Sequence, residues 1–178
     1  MPDQEQFLRY AMDAYGSAVY RLALCRLQNV QDAEDVYQDV FLRLLKEKRR
    51  EWDGEQLKAW LLRVALNRCA DIRRFRLRRP VLALDEVPEL AGPVDSEGAE
   101  LWEAVARLPE KLRTVIHLHY AEGYQTEEIA AMLGIPAATV RTRLRRGRIA
   151  LKNSLGGYDN GEQVSEFDEQ YSSARQTY

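Results

Sequence analysis

The chain has 178 residues, of which 30% are charged and 46% hydrophobic, with a formal net charge of −2, which suits one ordinary domain or two small ones. No apolar run approaches the roughly 20 residues that cross a bilayer, and the start lacks the pattern of a secretory signal, so we expect a cytoplasmic protein. Cys25 and Cys69 form no CxxC pair and no metal-spaced cluster with histidine, which favours packed thiols over a disulfide or metal site.

The first part of the chain predicts a three-helix bundle over residues 5–79. Apolar residues recur at helical spacing through residues 7–27, and a second helix begins near Asn29 with acids that suit a helix start. The stretch KRREWDGEQ, residues 48–56, breaks the periodicity and indicates an exposed loop. A third helix is predicted over residues 57–79, with Trp60 and Ile72 among its buried residues.

A proline- and glycine-containing acidic stretch, residues 80–98, cannot form a periodic apolar face and predicts a flexible linker. Helices are predicted again over residues 99–108, 109–122, 126–133 and 136–155. Together they make a second unit, residues 99–156, before an acidic tail, residues 157–178, that we expect to be disordered. Since no strand pattern occurs, the predicted fold class is all-α, with two small helical domains.

The charges are segregated along the chain. Residues 67–80 hold six arginines and one acid, whereas residues 81–103 hold seven acids and no lysine or arginine. Residues 126–156 hold six basic residues and two acids, and the tail reverses to five acids against Arg175. Two basic blocks separated by acid indicate two contacts with polyanions, although solvated helix faces would give the same pattern.

The second basic block predicts a helix-turn-helix. Gly134 can adopt the left-handed conformation of a tight turn, and Pro136 suits the start of the next helix. At about 100° per residue the second helix turns an apolar stripe inward: Val140, Leu144, Gly147 and Leu151. Its basic stripe comprises Arg141, Arg145, Arg148 and Lys152, flanked by Thr142 and Arg146. Guanidinium and hydroxyl groups suit base edges and phosphates in a major groove.

The first basic block lies on the third predicted helix. Its possible DNA-facing strip spans about 60°: Arg63, Asn67, Arg74 and Arg78. The preceding loop combines Arg49 and Arg50 with Trp52, and basic residues around an aromatic ring suit an unpaired base. The same layout occurs on helices that only face water, so this alternative stays open.

The acidic start of the second helix has two interpretations. Asp32 and Asp35 suit capping and the helix dipole. The same helix can also present a polar surface to a basic partner, here called the docking strip: Asp35, Gln38, Asp39 and Arg43.

Three segments together resemble the extracytoplasmic-function sigma factors of bacterial RNA polymerase, members of the sigma-70 family. They read DAEDVYQDVFLRL, LKAWLLRVALNRCADIRR and LPEKLRTVIHLHYAEGYQTEEIAAMLGIPAATVRTRLRRGR. The resemblance covers residues 5–156 and implies that residues 5–79 are sigma region 2 and residues 99–156 sigma region 4. It implies a factor that binds core RNA polymerase and directs promoter-specific initiation.

The resemblance also implies roles for the surfaces described above. The docking strip would bind the clamp helices of the largest polymerase subunit. The minus-ten element would be melted and captured by Arg49, Arg50, Trp52, Arg63, Asn67 and Arg74. The minus-thirty-five element would be read by Thr139, Arg141, Thr142, Arg145 and Arg146. An anti-sigma protein, often membrane-bound in this family, is a further expected partner.

Two other classes of function remain as alternatives. A stand-alone dimeric helix-turn-helix regulator would need a symmetric operator and a dimer interface, and the sequence has no heptad seam. An enzyme would need a catalytic motif, but His117 and His119 point in different directions on a helix, and no nucleophile motif, P-loop or GxGxxG accompanies them. We therefore expect no catalytic residues, no metal, no cofactor and no small-molecule substrate.

Overall fold

The computed structural model describes residues 4–48, 51–79 and 99–156, and these residues form helices without any strand. The chain divides into two compact units. The helices are α1 Gln4–Leu27, α2 Val30–Lys46, α3 Gly54–Arg78, α4 Ala99–Arg107, α5 Glu110–Ile116, α6 Thr126–Leu133 and α7 Ala137–Ser154. The prediction of an all-α fold is confirmed. The predicted linker and tail lie outside the described residues.

The first unit is a bundle in which α1, α2 and α3 pack on one another. Each helix contributes residues without solvent exposure to the core, among them Leu22, Val36 and Leu61. Gly16 lies where α2 comes close, because a Cβ there would be 3.0 Å from the hydroxyl oxygen of Tyr37. Glycine lowers helix propensity, and its presence at this position of α1 therefore has a packing reason.

Side-chain caps define the two later helices of this unit. Asn29 accepts a hydrogen bond from the backbone N–H of Asp32 at 2.9 Å, as a helix start requires. Asp53 accepts from the backbone N–H of Gln56 at 2.8 Å, so α3 begins at Gly54. The predicted loop over residues 48–56 is therefore too long at its end, because its last three residues belong to the helix.

The buried face of α3 differs in part from the prediction. Trp60 and Ile72 are only half-buried, whereas Leu62 and Leu66 are buried; Cys69 is a buried thiol, as predicted. The helix faces both α1 and α2, so its buried surface is wider than a single apolar stripe. Within the described residues, no helix is long and apolar enough to cross a membrane.

In the second unit α7 packs against α4, α5 and α6. Its core includes Ile116, Ile129, Val140 and Leu151. Gly147 permits the close approach of α5, since a Cβ there would lie 2.8 Å from Cγ1 of Ile116. The predicted helix over residues 109–122 is not uniform, because α5 changes after Ile116 into a π-helical turn, His117–Ala121. Such turns occur often at functional sites and are not marked by any hydrophobic period.

Candidate nucleic-acid and polymerase interfaces

The predicted helix-turn-helix is formed by α6, a tight turn and α7. Gln125 and Glu128 form a capping box at the start of α6, in which the N–H of Gln125 donates to Oε2 of Glu128 at 2.7 Å. Gly134 ends α6 with φ 65°, the left-handed conformation that the turn requires. Pro136 then caps α7 without offering an N–H. Local residue chemistry thus sets the turn between the two helices.

The faces of α7 agree with the predicted stripes, with one correction at Arg148. The inward stripe is buried: Val140, Leu144, Gly147 and Leu151. Solvent-exposed side chains include Arg141, Thr142, Arg145 and Arg146, and Thr139 is half-exposed. These five residues are here called the recognition face. The hydroxyl of Thr142 donates to the carbonyl of Ala138 at 3.0 Å, so its oxygen still has acceptor capacity toward a ligand.

Arg148 does not belong to the outward basic stripe. Its Nε donates to the hydroxyl oxygen of Tyr120 at 2.5 Å, and its guanidinium carbon lies 5.6 Å from the centre of that ring. The arginine therefore ties α7 to the π-helical turn. The prediction placed it outward because helical periodicity does not locate Tyr120, which is 28 residues away in sequence.

The docking strip lies on α2 and is partly occupied by intramolecular contacts. Asp35, Gln38 and Arg43 are exposed, whereas Asp39 is half-exposed. The Nε of Arg68 on α3 donates to Oδ2 of Asp39 at 2.5 Å. One turn before the strip, Asp32 forms an ion pair with Arg76, another arginine of α3. Two arginines of the first basic block thus pair with carboxylates of α2. The sequence analysis did not predict these pairs.

The predicted minus-ten residues of α3 are exposed: Arg63, Asn67 and Arg74. Arg74 is 3.1 Å from Asp71 on its own helix. Trp52 is half-buried, and its ring centre is 4.9 Å from that of Trp60. Arg49 and Arg50 lie outside the described residues. The structure thus places Trp52 just before α3, with its ring against that of Trp60 within the helix.

A buried polar pair occurs at the π-helical turn. Nε2 of His117 lies 3.3 Å from Oε1 of Glu122, and each side chain is only 2% exposed. Nδ1 of the half-buried His119 lies 2.9 Å from the carbonyl oxygen of Tyr124. The two histidines thus have separate surroundings, and Glu122 was not identified from sequence because no periodic signal links it to His117. Among the described residues, no group of His, Cys, Asp and Glu could hold a metal ion.

Comparison with protein families gives two matches along the chain. Residues 11–79 match sigma-70 region 2, and residues 98–151 match sigma-70 region 4. The ECF RNA polymerase sigma factor SigW of Bacillus subtilis is 32% identical over 177 residues, with 86% of this chain and 90% of that relative covered. SigE of Mycolicibacterium smegmatis is 34% identical over 170 residues, covering 90% of this chain and 64% of that relative.

Two solved structures have the same fold. The sigma factor RpoE of Bartonella quintana, crystallised with the anti-sigma factor NepR, has a TM-score of 0.68 at 24% identity and covers 85% of this chain and 98% of its own. CnrH, solved in complex with the cytosolic domain of CnrY, has a TM-score of 0.60 at 26% identity. The match covers 89% of this chain and 92% of the CnrH chain. The first of these likenesses bears on the fold alone.

The predicted function of a sigma factor that directs promoter-specific transcription initiation is confirmed by these relatives, and a stand-alone dimeric regulator is not favoured. SigW supports this most directly, because this chain covers nearly its whole length. The chain belongs to the extracytoplasmic-function RNA polymerase sigma factors of the sigma-70 family.

Proposed function

We propose that the two units divide the work of initiation between separate surfaces. Residues 5–79 act as region 2, which binds core RNA polymerase and the minus-ten element, and residues 99–156 act as region 4, which binds the minus-thirty-five element. Residues 80–98 connect them. The observation that carries this proposal is the recognition face of α7, an exposed surface of arginines and threonines held by a helix-turn-helix.

Region 4 reads duplex DNA through the recognition face. An α-helix fits the major groove, where arginine forks match guanine edges and phosphate oxygens. Arg145 and Arg146 are exposed, and within the described residues neither has an acidic partner. Thr139 and Thr142 add hydroxyls on the same helix, which suit phosphate or base contacts.

Region 2 docks on the polymerase through the docking strip. Asp35 and Gln38 are exposed on α2 and available to a basic partner without loss of a core contact. Asp39 has to share its carboxylate with Arg68, since the two are paired at 2.5 Å. Arg43 completes the strip at the far end of the helix. The clamp helices of the largest polymerase subunit are the partner that the family resemblance implies.

The minus-ten element is bound by α3 and the residues before it. Arg63, Asn67 and Arg74 are exposed on the same helix, which allows one strand to run along them. Trp52 stands before this helix, and an aromatic ring is suited to stack on an unpaired base. Arg49 and Arg50 supply positive charge in the adjoining segment.

The same assignment implies where the chain acts and what it does not need. It acts in the cytoplasm, has no catalytic role and uses neither a cofactor nor a small-molecule substrate, because a sigma subunit works by binding. An anti-sigma protein is the regulator that the family resemblance implies, and the similar protein CnrH was solved in complex with the cytosolic domain of CnrY. Such a partner is membrane-bound in many family members.

The test is a titration of the labelled full chain with bacterial core RNA polymerase. A variant with Asp35→Ala, Gln38→Ala and Asp39→Ala is compared with a control that carries Glu5→Ala, Gln6→Ala and Asp13→Ala on α1. The control also removes two acids and one glutamine, and therefore the same charge, from an exposed surface. We expect saturable binding, weakened at least about tenfold in the docking variant and unchanged in the control. No binding by the wild type would return the stand-alone regulator to consideration.

A further inference from the structure

Arg141 differs from the other arginines of the recognition face. Its NH1 lies 3.5 Å from Oε1 of Glu127, a residue of α6. Within the described residues, Arg145 and Arg146 have no such acidic partner. In the absence of DNA, the three exposed arginines thus differ in their electrostatic surroundings, because only Arg141 has a carboxylate beside it.

The carboxylate that faces Arg141 comes from a well-defined backbone position. Glu127 lies in the first turn of α6, where the capping box of Gln125 and Glu128 orders the chain. Gly134 sets the turn between α6 and α7. The side chains of Glu127 and Arg141 are 74% and 60% exposed, so water reaches both and the pair remains available to a ligand.

An acid beside an arginine affects its two classes of DNA ligand differently. A phosphate carries a full negative charge, so a phosphate bound by Arg141 would also approach the carboxylate of Glu127. The O6 and N7 acceptors of guanine are uncharged, and a bidentate arginine contact with them leaves other guanidinium N–H groups for the carboxylate. Repulsion therefore weakens the phosphate contact more than the base contact.

We propose that Glu127 is a positioning residue that directs Arg141 to a base edge rather than a phosphate, with guanine the preferred base. This proposal rests on the proposed function of α7. Arg145 and Arg146, which have no acid beside them, bind phosphates. Sequence preference then depends on the α6 carboxylate as well as on the arginine of α7. Since the pair is exposed, removal of Glu127 should reduce the preference at one base pair by about threefold.

The experiment uses holoenzyme assembled from the full chain and bacterial core polymerase. A duplex library randomised at both promoter elements is selected with the wild type, and the enriched sequence supplies the probe. Affinity is then measured for this probe and its single-base variants in the upstream element. The proteins compared are the wild type, Glu127→Gln, Glu128→Gln, Arg141→Ala and the double variant Glu127→Gln with Arg141→Ala.

Glu128→Gln is the matched control. It removes the same charge from the neighbouring residue, and glutamine retains the oxygen that accepts the capping hydrogen bond. We expect Glu127→Gln to lower the preference only at the base pair where Arg141→Ala abolishes it, and the double variant to equal Arg141→Ala. Glu128→Gln should keep the wild-type preference.

Different outcomes separate this proposal from the assignment of α7. If the wild type selects an upstream sequence and Glu127→Gln keeps every preference or lowers all of them evenly, the positioning role is wrong and the function of α7 stands. If wild-type holoenzyme forms but selects no upstream sequence, the minus-thirty-five assignment fails, and the role of Glu127 fails with it.

Discussion

Arg68 of α3 donates a hydrogen bond from Nε to Oδ2 of Asp39 on α2 at 2.5 Å, so a residue of the docking strip is already paired within its own unit. Both side chains are a little more than two-fifths exposed, at 43% and 41%, which leaves the pair open to exchange. Polymerase that binds Asp39 must therefore displace or share this arginine.

We expect Arg68→Ala to strengthen binding to core polymerase by up to about threefold, because the carboxylate of Asp39 no longer has an intramolecular partner. The free energy of unfolding should fall by less than about 1 kcal/mol, since an exposed ion pair is weak. Titration with core polymerase and urea unfolding measure the two effects. A loss of affinity as large as that of Asp39→Ala would instead make Arg68 a direct contact.

Arg145→Ala should weaken holoenzyme binding to promoter DNA about three- to tenfold while leaving the affinity for core polymerase unchanged, because the two surfaces belong to different units. Arg107→Ala provides the control, as it removes an exposed arginine that pairs with Glu103 on α4. Promoter binding and core titration are measured on the same preparations. Parallel losses in both assays would contradict the division between the units.

Gly134→Ala should lower the free energy of unfolding by about 1 kcal/mol, because a Cβ strains a residue with φ 65°. Apart from Gly134 and its two chain neighbours, no heavy atom lies within 4 Å of that Cβ position, so the cost arises in the backbone alone. Gly134→Asn should cost less, since asparagine tolerates this conformation better than alanine. Urea unfolding of both variants tests this ranking of free energies of unfolding. Equal stability of Gly134→Ala and the wild type would refute backbone strain at this position.

His117→Ala should lower the free energy of unfolding by about 2 kcal/mol, because it leaves the buried carboxyl of Glu122 without its imidazole neighbour and opens a cavity. His119→Ala, at a half-buried position, should cost less. Thermal unfolding compares the variants. A catalytic role for the histidines is thus better tested at His119, since loss of transcription in a His117 variant would also follow from unfolding.

The side-chain hydrogen bond with Tyr10 raises the pKa of Tyr15 to about 12, with burial and nearby acids adding to the effect. The neutral phenol is therefore favoured in the folded chain. Its stabilisation is complete below the unfolded pKa of 10.0 and is lost as pH rises through about 12. In urea unfolding between about pH 9 and pH 12, the free energy of unfolding should fall less steeply with pH for Tyr15→Phe than for Tyr20→Phe. Identical slopes would exclude this contribution.

Much of the fold follows from local sequence. Periodic apolar residues predict α1, α2 and α7 closely, and the pairing of Gly134 with Pro136 predicts the turn of the helix-turn-helix. The prediction of the inward stripe of α7 is confirmed, because residues three and four apart on a helix share a face. The roles of the docking strip and the recognition face stay predictions, and the experiments above test them.

The amino-acid sequence by itself determined the helices, the tight turn and the segregation of charge, since each depends on residues within a few positions of one another. Only the tertiary structure decided which charges remain available. Asp39 meets Arg68, Arg148 turns to Tyr120, and Arg141 faces Glu127. Such pairs join different helices, and a helical period states which way a side chain points but not which neighbour it meets.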